Sequence, residues 1–531
     1  MGLSPYVSIL SILLQAAQPD RVVPTAAVRG TVTDGQTGKP VADMIVSAPG
    51  ATTGGAKTDL QGRFQIKGMT PGTTAIVVSG GHGYLGEGRR LTLLPGDDLT
   101  GADIKLLREA SISGVVSNRN RTFAASAVVT VFSRGYQNGR PIWTSFHSQR
   151  TDSQGHYAIE GLLPGRYFLM VEPRPIQIRK GLPPRQKGVE PEPVLETVRT
   201  YFPNSPTIEG ASQIFLGAGA TASNVGLTLL LERTVCVASQ LLDRTGTQPG
   251  SEINVLLAET FPMSQSRVAA GVFHSGDVFE VCGIPPGSYR LSAFGFSGDE
   301  IGRYAADQIS ITNRYVTASP LLLQPTAPLK GSITVEGAKG ESQSLAGIRI
   351  TLRPKDRAGM AGESTEVASD ESGNFNFPAV IADDYWLGVH HLPDRHYVRS
   401  ASTATQEAWL MPVNGGAGEL RIALGSDGSA LTGQVKDSAG RAASDCAVLI
   451  QREPLLIPAP PNQFYSSTTD QSGSFRFSNV PPGDYRVLAV PISSERELWN
   501  PEIMKRYERR TTAIAISGNQ NFLPNLVLTV K

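Results

Sequence analysis

The residues of this chain that could bind a metal are few and poorly grouped. The one local histidine cluster comprises His390, His391 and His396, with Asp394 beside them. Adjacent histidines on a strand point to opposite faces, so His390 and His391 are badly placed to share one ion. The sequence has no His-Glu-x-x-His, no His-x-x-Glu and no paired Cys-x-x-Cys, which are common zinc-ligand spacings. We therefore predict no metal site.

Glycine-rich stretches are the next candidates for chemistry, because such loops can hold phosphate. Gly217 to Ala222 resembles a dinucleotide fingerprint, but the apolar residues 225–231 that follow indicate a strand where phosphate needs a helix N-terminus. Residues 50–58 lack the spacing of a phosphate loop, and no Gly-x-Ser-x-Gly motif is present. We predict no cofactor, no catalytic residue and no enzymatic activity.

Tryptophans are the remaining candidates for ligand contact. Trp386 is out of phase with Tyr385 and Leu387, so its ring should face away from the core, where it could stack on a sugar or a partner. Trp143 is the second candidate, near a strand edge. In the alternative interpretation, these rings cover junctions between domains. Trp409 and Trp499 lie in comparable positions.

Three cysteines are too few for a disulfide-built scaffold. Cys236 and Cys282 fall out of phase with the inward residues of their strands and could meet on an outer face. The sequence does not establish the Cα separation of about 4.4–6.8 Å that a bond needs, so both a disulfide and two free thiols stay open. Cys446 is in phase with Val448 and Ile450 and is predicted to be an inert core thiol.

The elements that would position these residues are defined by one repeated motif, best preserved at residues 469–485. Asp470 can cap a turn that Gly473 closes, and Phe475 and Phe477 then alternate with polar residues as in a half-buried strand. A Pro-Gly pair at residues 482–483 fits a type II turn. The acidic residue of the motif is therefore predicted to shape a turn.

Four further copies of the motif occur. They begin near Thr58, Thr151, Phe279 and Ser369. The third lacks the Thr-Asp pair, and the fourth has Asp383 where the others have glycine, a substitution the left-handed conformation tolerates. Each copy is preceded by a strand with a small central residue, predicted to mark close backbone approach or a bulge, and followed by a closing hairpin such as residues 513–530. The strand-opening glycines are Gly30, Gly114, Gly331 and Gly433.

The copies divide the 531 residues into units of about one hundred residues, the usual domain size. High glycine and proline content, 56 and 37 residues, favours short strands and turns over helices. The sequence thus predicts an all-β tandem array of five immunoglobulin-like or transthyretin-like Greek-key β-sandwiches. Short junctions between them predict a semi-rigid rod. The predicted domains are residues 24–108, 109–232, 233–327, 328–428 and 429–531.

Three segments depart from this pattern. Residues 1–18 resemble a signal peptide, and no other segment approaches the roughly eighteen apolar residues of a membrane span. Residues 173–206 are Pro-rich with mixed charges and are predicted to form an extended, solvated insertion in the second domain. A short helix is predicted near residues 500–507 from its Asn-Pro-Glu start.

With these motifs in place, the repeats resemble the carboxypeptidase regulatory-like domain, a transthyretin-like β-sandwich found in bacterial proteins and related to carbohydrate-binding-like folds. The resemblance implies a module that accompanies peptidases, adhesins and transporters. It favours a non-enzymatic scaffold or adhesion-type rod that is secreted, periplasmic or at the cell surface. The alternative is carbohydrate binding through exposed aromatic rings.

The partners that we expect are a polysaccharide or a cell-surface protein. The net charge of +1 gives no reason to expect nucleic acid. We further expect a monomer.

Overall fold

The computed structural model describes residues 25–527, with gaps at 53, 138–139, 174–175, 181–190, 244–251, 261–266, 299, 337–343, 356–363, 410, 417, 455–462, 492–504, 506 and 519–525. Its described residues form β-strands around five large hydrophobic clusters that follow one another along the chain. We call each cluster with its strands a module, numbered 1 to 5. The prediction of an all-β chain of β-sandwiches is confirmed, whereas the domain boundaries stay predictions.

Modules 1 and 2 each have two sheets that face each other across the cluster. Module 1 comprises β1 (Ala26–Asp34), β2 (Ile45–Ser47), β3 (Gly55–Lys57), β4 (Arg63–Met69), β5 (Gly72–Val78), β6 (Glu87–Leu93), β7 (Asp98–Leu99) and β8 (Ile104–Leu106). The strands that follow, up to the end of module 2, are β9 (Ala110–Ser117), β10 (Val128–Gln137), β11 (Arg140–Arg150), β12 (His156–Leu162), β13 (Gly165–Glu172), β14 (Ile176–Lys180), β15 (Val194–Val198), β16 (Thr200–Tyr201), β17 (Ile214–Leu216), β18 (Thr221–Ala222) and β19 (Leu227–Thr228), with a 3-10 turn, η1 (Ile208–Gly210), after β16.

Module 3 is the exception, because its strands are joined into one sheet of ten. Its own strands are β20 (Leu230–Asp243), β21 (Ile253–Glu259), β22 (Arg267–Phe273), β23 (Val278–Ile284), β24 (Gly287–Ser297), β25 (Glu300–Ile311), β26 (Val316–Thr317) and β27 (Leu321–Pro325). The remaining two strands, β14 and β15, come from the preceding part of the chain.

Modules 4 and 5 return to two separate sheets. Module 4 comprises β28 (Ala327–Glu336), β29 (Arg349–Pro354), β30 (Thr365–Ala368), β31 (Asn374–Val380), β32 (Asp384–His390), β33 (Tyr397–Ser402), β34 (Val413–Asn414) and β35 (Glu419–Gly425). Module 5 comprises β36 (Ser429–Lys436), β37 (Cys446–Arg452), β38 (Phe464–Thr468), β39 (Ser474–Val480), β40 (Gly483–Pro491), β41 (Thr512–Ile516) and β42 (Leu526–Val527), with a 3-10 turn, η2 (Glu508–Arg510), before β41.

The closing segment of a module does not form the predicted hairpin. In module 5, β41 pairs with β40 in one sheet, whereas β42 pairs in parallel with β36 in the other. The segment therefore arches from one sheet to the other, which the apolar pattern does not distinguish from a hairpin. In module 2 the same arch brings residue 225 against β9, so that a Cβ at Gly114 would lie 1.9 Å from the carbonyl oxygen of Val225. The predicted close approach at this glycine is present.

The acidic residue of the repeated motif caps its turn. Asp470 Oδ1 accepts from the backbone N–H groups of Ser472 and Ser474, at 2.9 and 3.0 Å. The hydroxyl that precedes the acid ties the turn to the start of the second sheet, as where Thr151 Oγ1 donates to the Ala124 carbonyl and accepts from the N–H of Ala127. These carboxylates shape turns, as the sequence predicts. The corresponding acids are Asp59, Asp152 and Asp370.

The second turn of the motif differs from the type II turn that the Pro-Gly pair predicts. Gly483 has φ 152°, whereas a type II turn needs about 80°. The left-handed residue lies four positions earlier, at Asn479 with φ 61°, where the register of β39 against β36 shifts by a bulge. The chain therefore bends at Pro482 and enters β40 at Gly483 without forming a type II turn. The hydroxyl of Tyr485 then donates to the Pro481 carbonyl at 2.8 Å.

The array folds back on itself, which is a correction to the predicted rod. The side-chain amide of Gln471 in module 5 exchanges two hydrogen bonds, at 3.2 and 2.9 Å, with the backbone of Thr92 on the edge strand β6 of module 1. Arg89 of β6 also lies 4.0 Å from Asp445. An extended rod would keep modules 1 and 5 apart. The short junctions predicted stiffness but carried no information on direction.

The Pro-rich insertion is not a solvated loop throughout, so that prediction is wrong for its strands. β14 and β15 lie within it, and Ile178 of β14 is buried in the cluster of module 3. Prolines at the ends of these strands leave the intervening backbone able to pair. The predicted signal peptide at 1–18 and most of the predicted helix near 500–507 lie outside the described residues.

Candidate binding cleft

A cleft of about 1800 Å³ lies between modules 2 and 3. One wall is the loop before β10, with Asn118 and Phe123, and the other is the end of β23 and the turn into β24, with residues 282–283 and 285–287. The insertion strands β14 and β15 contribute to its lining through Ile178 and residues 196–198, and Arg199 follows β15. Clefts between domains are preferred sites for ligands, so this cleft is the candidate site.

Arg199 ties the two sides of the cleft together. Its Nε and Nη2 donate to Oε1 of Glu172 at 3.0 and 2.6 Å, and its Nη1 donates to Oε2 of Glu259. Glu172 ends β13 of module 2, whereas Glu259 ends β21 of module 3. One guanidinium therefore bridges carboxylates from two modules, in a site where its own side chain is 13% exposed.

Burial and charge oppose each other in this cluster. Burial disfavours the charged form of Arg199, but the attraction of Glu172 and Glu259 outweighs it and raises the pKa of the guanidinium. Burial raises the pKa of Glu259, and Arg199 offsets part of that effect. Arg199 pairs with the carboxylates of both Glu172 and Glu259, so the ion pairs connect module 2 to module 3.

Trp143 packs inside module 2. Its ring makes edge contacts with Phe132 and Phe168, with centroids 5.6 and 5.1 Å apart. A second hydrophobic cluster forms there, on the outer side of β10 and β13, and η1 covers it through Ile208. The ring is half-buried beside this cluster, and a ligand-binding role for Trp143 stays a prediction.

Trp386 lies half-buried on β32, between the core residues Tyr385 and Leu387. It pairs with Arg353 of the neighbouring strand β29 and lies outside the core cluster of module 4. A ligand-binding role for Trp386 stays a prediction. Trp409 is buried in that cluster, and Trp499 lies outside the described residues.

Cys236 and Cys282 are joined by a disulfide, with 2.00 Å between the sulfur atoms. The bond links β20 to β23 on the face away from the core cluster, and Cys282 lines the cleft. Cys446 is a buried free thiol, and burial raises its pKa. This environment is that of a core thiol.

Metal-ligating side chains gather at one place in the described part of the chain, where Cys236, Glu280 and Cys282 lie within 4.8 Å of one another. Because the two sulfurs are bonded to each other, they are not available as thiolate ligands. The histidine cluster is not brought together in this way. His396 is buried with Nδ1 2.9 Å from the Asp394 carbonyl oxygen, whereas His390 and His391 are exposed.

The ionic cluster around Arg199 was not predicted from the sequence. Its members are separated by 27 and 60 residues and belong to two modules. The available signal was an arginine inside an insertion otherwise interpreted as solvated. No described helix is long and apolar enough to cross a membrane.

Comparison with known proteins supports the predicted family at the N-terminal module. Residues 27–107 match the carboxypeptidase regulatory-like domain. The chain is 24% identical over 386 residues to Colossin-A of Dictyostelium discoideum, covering 65% of this chain and 3% of that protein. It therefore spans a very small part of this relative.

Solved structures align only loosely. The Bacillus anthracis TIE protein aligns at 12% identity and a TM-score of 0.16, covering 76% of this chain and 69% of its own. The minor pilin GBS52 of Streptococcus agalactiae aligns at 11% identity and a TM-score of 0.22, covering 38% of this chain and 95% of the pilin chain. Alignments at these TM-scores carry no argument about function. What these comparisons show is therefore a similarity over one module: residues 27–107 match the carboxypeptidase regulatory-like domain.

Proposed function

We propose that this chain is a non-enzymatic scaffold of adhesion type that acts outside the cytoplasm, with each module forming one β-sandwich domain. The observation that carries the proposal is the coupling between successive modules by specific polar contacts. Arg199 bridges modules 2 and 3, and Arg290 pairs with Asp383 between modules 3 and 4. Such contacts fix the relative placement of neighbours, which a scaffold requires.

The remaining junctions are of the same kind. Between modules 1 and 2, the side-chain amide of Gln36 donates to the Ala218 carbonyl at 2.6 Å. Between modules 4 and 5, Asn479 Oδ1 accepts from the N–H of Arg395 at 2.7 Å. Asn479 is also the left-handed residue at the bulge of β39. The same residue therefore shapes the motif and forms a hydrogen bond between modules 4 and 5.

The disulfide supports a location outside the cytoplasm, because disulfides persist in oxidising compartments. The sequence resembles a secreted protein at residues 1–18, which agrees with this proposal. A surface location would be tested by labelling intact cells with a membrane-impermeant biotin reagent. Labelling of intact cells, or of cells whose outer envelope alone is permeabilised, supports the proposal, whereas labelling only after complete lysis contradicts it.

The scaffold role is tested by pulling single molecules of the full chain between its two ends. A coupled array predicts that modules 2 and 3 unfold in one event in the wild type and in two separate events in Arg199→Ala. The matched control is Arg421→Ala, which removes an exposed pair with Glu419 inside module 4 and should leave the pattern unchanged. Independent unfolding of modules 2 and 3 in the wild type would contradict a coupled scaffold.

Carbohydrate binding at the cleft is a second candidate, favoured by Phe123. Its ring is 57% exposed and lines the cleft beside Asn118, and sugar sites combine an aromatic face with polar groups. Binding of soluble polysaccharides would be measured by affinity electrophoresis. Phe123→Ala should remove the retardation, whereas Phe215→Ala, at an exposed ring outside the cleft lining, should not. Equal retardation of both variants would count against the cleft.

A further inference from the structure

The two sheets of module 3 are joined at two places, since β27 pairs with both β20 and β25, and β14 lies between β22 and β23. In modules 1, 2, 4 and 5, the two sheets stay separate and their neighbouring edge strands are joined by the capped turn of the motif. The preceding hydroxyl, as at Thr58 or Thr151, anchors that corner. The third copy of the motif lacks the Thr-Asp pair. At the same corner of module 3, between β22 and β23, a further strand separates the two edges.

That strand is β14, which pairs on both sides. Ile176 and Gln177 lie opposite Ala269 and Ala270 of β22 in parallel register. Ile178 to Lys180 lie opposite Val281 to Phe279 of β23 in antiparallel register. The side chain of Ile178 is 9% exposed and belongs to the hydrophobic cluster of module 3. β14 therefore closes the seam between the two sheets.

The seam is shaped to accept a strand. Gly271 of β22 leaves room for the Phe273 ring, 2.7 Å from where a Cβ would lie, and the same Cβ position is at contact distance, 3.4 Å, from Cβ of Ile178. The other wall, β23, is held to β20 by the Cys236–Cys282 disulfide. β22 also pairs with β21, and β23 with β20, so each edge keeps a neighbouring strand when the strand between them is withdrawn.

β14 belongs to module 3 by its contacts and to the connection after β13 by its position in the chain. Its core residue Ile178 lies in the cluster of module 3, and none of its described residues belongs to the cluster of module 2. β14 thus packs in module 3 while the chain connects it to β13 of module 2. Strands with this arrangement can be exchanged between identical chains. A second copy supplies the same residues in the same register.

We propose that the seam between β22 and β23 is a strand-acceptor site, and that Ile176–Lys180 of a second copy of this chain can fill it in place of the chain's own β14. Backbone hydrogen bonds on two edges provide binding, and the pocket for Ile178 provides register and specificity. The chain's own strand is favoured at low protein concentration, because its tether gives it a high effective concentration. Exchange therefore links copies when the concentration is high or the tethered strand is defective.

The first test uses an acceptor variant of the full chain, Gln177→Pro with Ile178→Asp, which removes a backbone donor and places a charge in the core. A fluorescent peptide with the sequence of residues 173–183 should bind this variant saturably and bind the wild type at least tenfold more weakly. The same peptide with Asp at position 178 should not bind. The control variant is Val194→Asp, at an exposed site of the same insertion. Absence of peptide binding to the folded acceptor variant would overturn the proposal.

The second test keeps the strand intact, in case the acceptor variant does not fold. Gln177→Cys with Ala270→Cys places a cysteine pair at directly opposed positions of β14 and β22. After refolding at increasing protein concentration and oxidation, the fraction of covalent dimer on a non-reducing gel should rise. Gln177→Cys alone and Ala270→Cys alone should give no such rise. Cross-links confined to monomers at every concentration would overturn exchange between copies.

Discussion

Arg290 Nη2 and Asp383 Oδ2 lie 2.5 Å apart across the junction between modules 3 and 4, with side chains only 12% and 16% exposed. Asp383 occupies the position where other copies of the motif have glycine, and the sequence suggested that it tolerates a left-handed backbone. It is not among the residues with positive φ. Its carboxylate instead serves the junction. The departure of Asp383 from the repeated motif is thus explained by its ion pair with Arg290 of module 3.

Asp383→Ala should destabilise this junction by about 3 kcal/mol, because it leaves the guanidinium of Arg290 buried without its carboxylate. Hydrogen exchange of β24 and β32, together with calorimetry, would measure the effect. Lys57→Ala is the matched control, since it removes an exposed pair with Asp43 at 2.8 Å and should leave stability nearly unchanged. Equal costs for the two substitutions would contradict a structural role for the buried pair.

Gly114→Ala should destabilise module 2 by about 3 kcal/mol, because the added methyl would meet the Val225 carbonyl and push β9 away from the closing arch. The free energy of unfolding, measured by urea denaturation, checks this. Gly217→Ala is the control, since a Cβ there meets nothing within 4 Å and should leave stability nearly unchanged. A Gly114→Ala variant as stable as the control would show that the arch moves without cost.

The features that the sequence predicted are local. The Asp470 cap and the close approach at Gly114 depend on residue types whose conformational preferences hold wherever the motif occurs. The pairing of β14 with β22 and β23 was not predicted, because five residues in a Pro-rich segment carry no pattern that indicates which strands they pair with. The Arg199 cluster was missed for the same reason, since its carboxylates come from strands of two modules. Pairing across modules is set by tertiary geometry, which a periodic pattern does not encode.

Stability should fall below about pH 4, in part because of Asp34. Backbone N–H groups of Thr37 and Gln36 at 2.9 Å, the Tyr84 hydroxyl and Arg108 stabilise its charged form and lower its pKa, although burial opposes them. Because the folded pKa is depressed, the contribution is present above the unfolded value of about 3.9 and is lost as pH falls through and below it.

The measurement is the unfolding temperature of wild type and Asp34→Asn between pH 7 and pH 2.5. The amide keeps an acceptor for the turn but places a donor toward Tyr84 and Arg108, so the variant should be less stable at pH 7 and lose less on acidification. Asp98→Asn, at an exposed pair with Arg29, should follow the wild-type profile. Parallel profiles for wild type and Asp34→Asn would remove Asp34 as a source of acid sensitivity.

The disulfide should contribute about 4 kcal/mol to module 3, because it closes a chain segment of 46 residues in the unfolded state. Replacing both Cys236 and Cys282 with serine should lower the unfolding temperature and increase hydrogen exchange in β20 and β23. A reductant should have the same effect on the wild type and none on the double variant, which separates loss of the bond from changes at the serines. Since β23 forms one wall of the seam, the double substitution should also weaken binding of the strand peptide to the acceptor variant. If hydrogen exchange in β23 is unchanged by the double substitution, the backbone pairing of the sheet is enough to hold this edge without the disulfide.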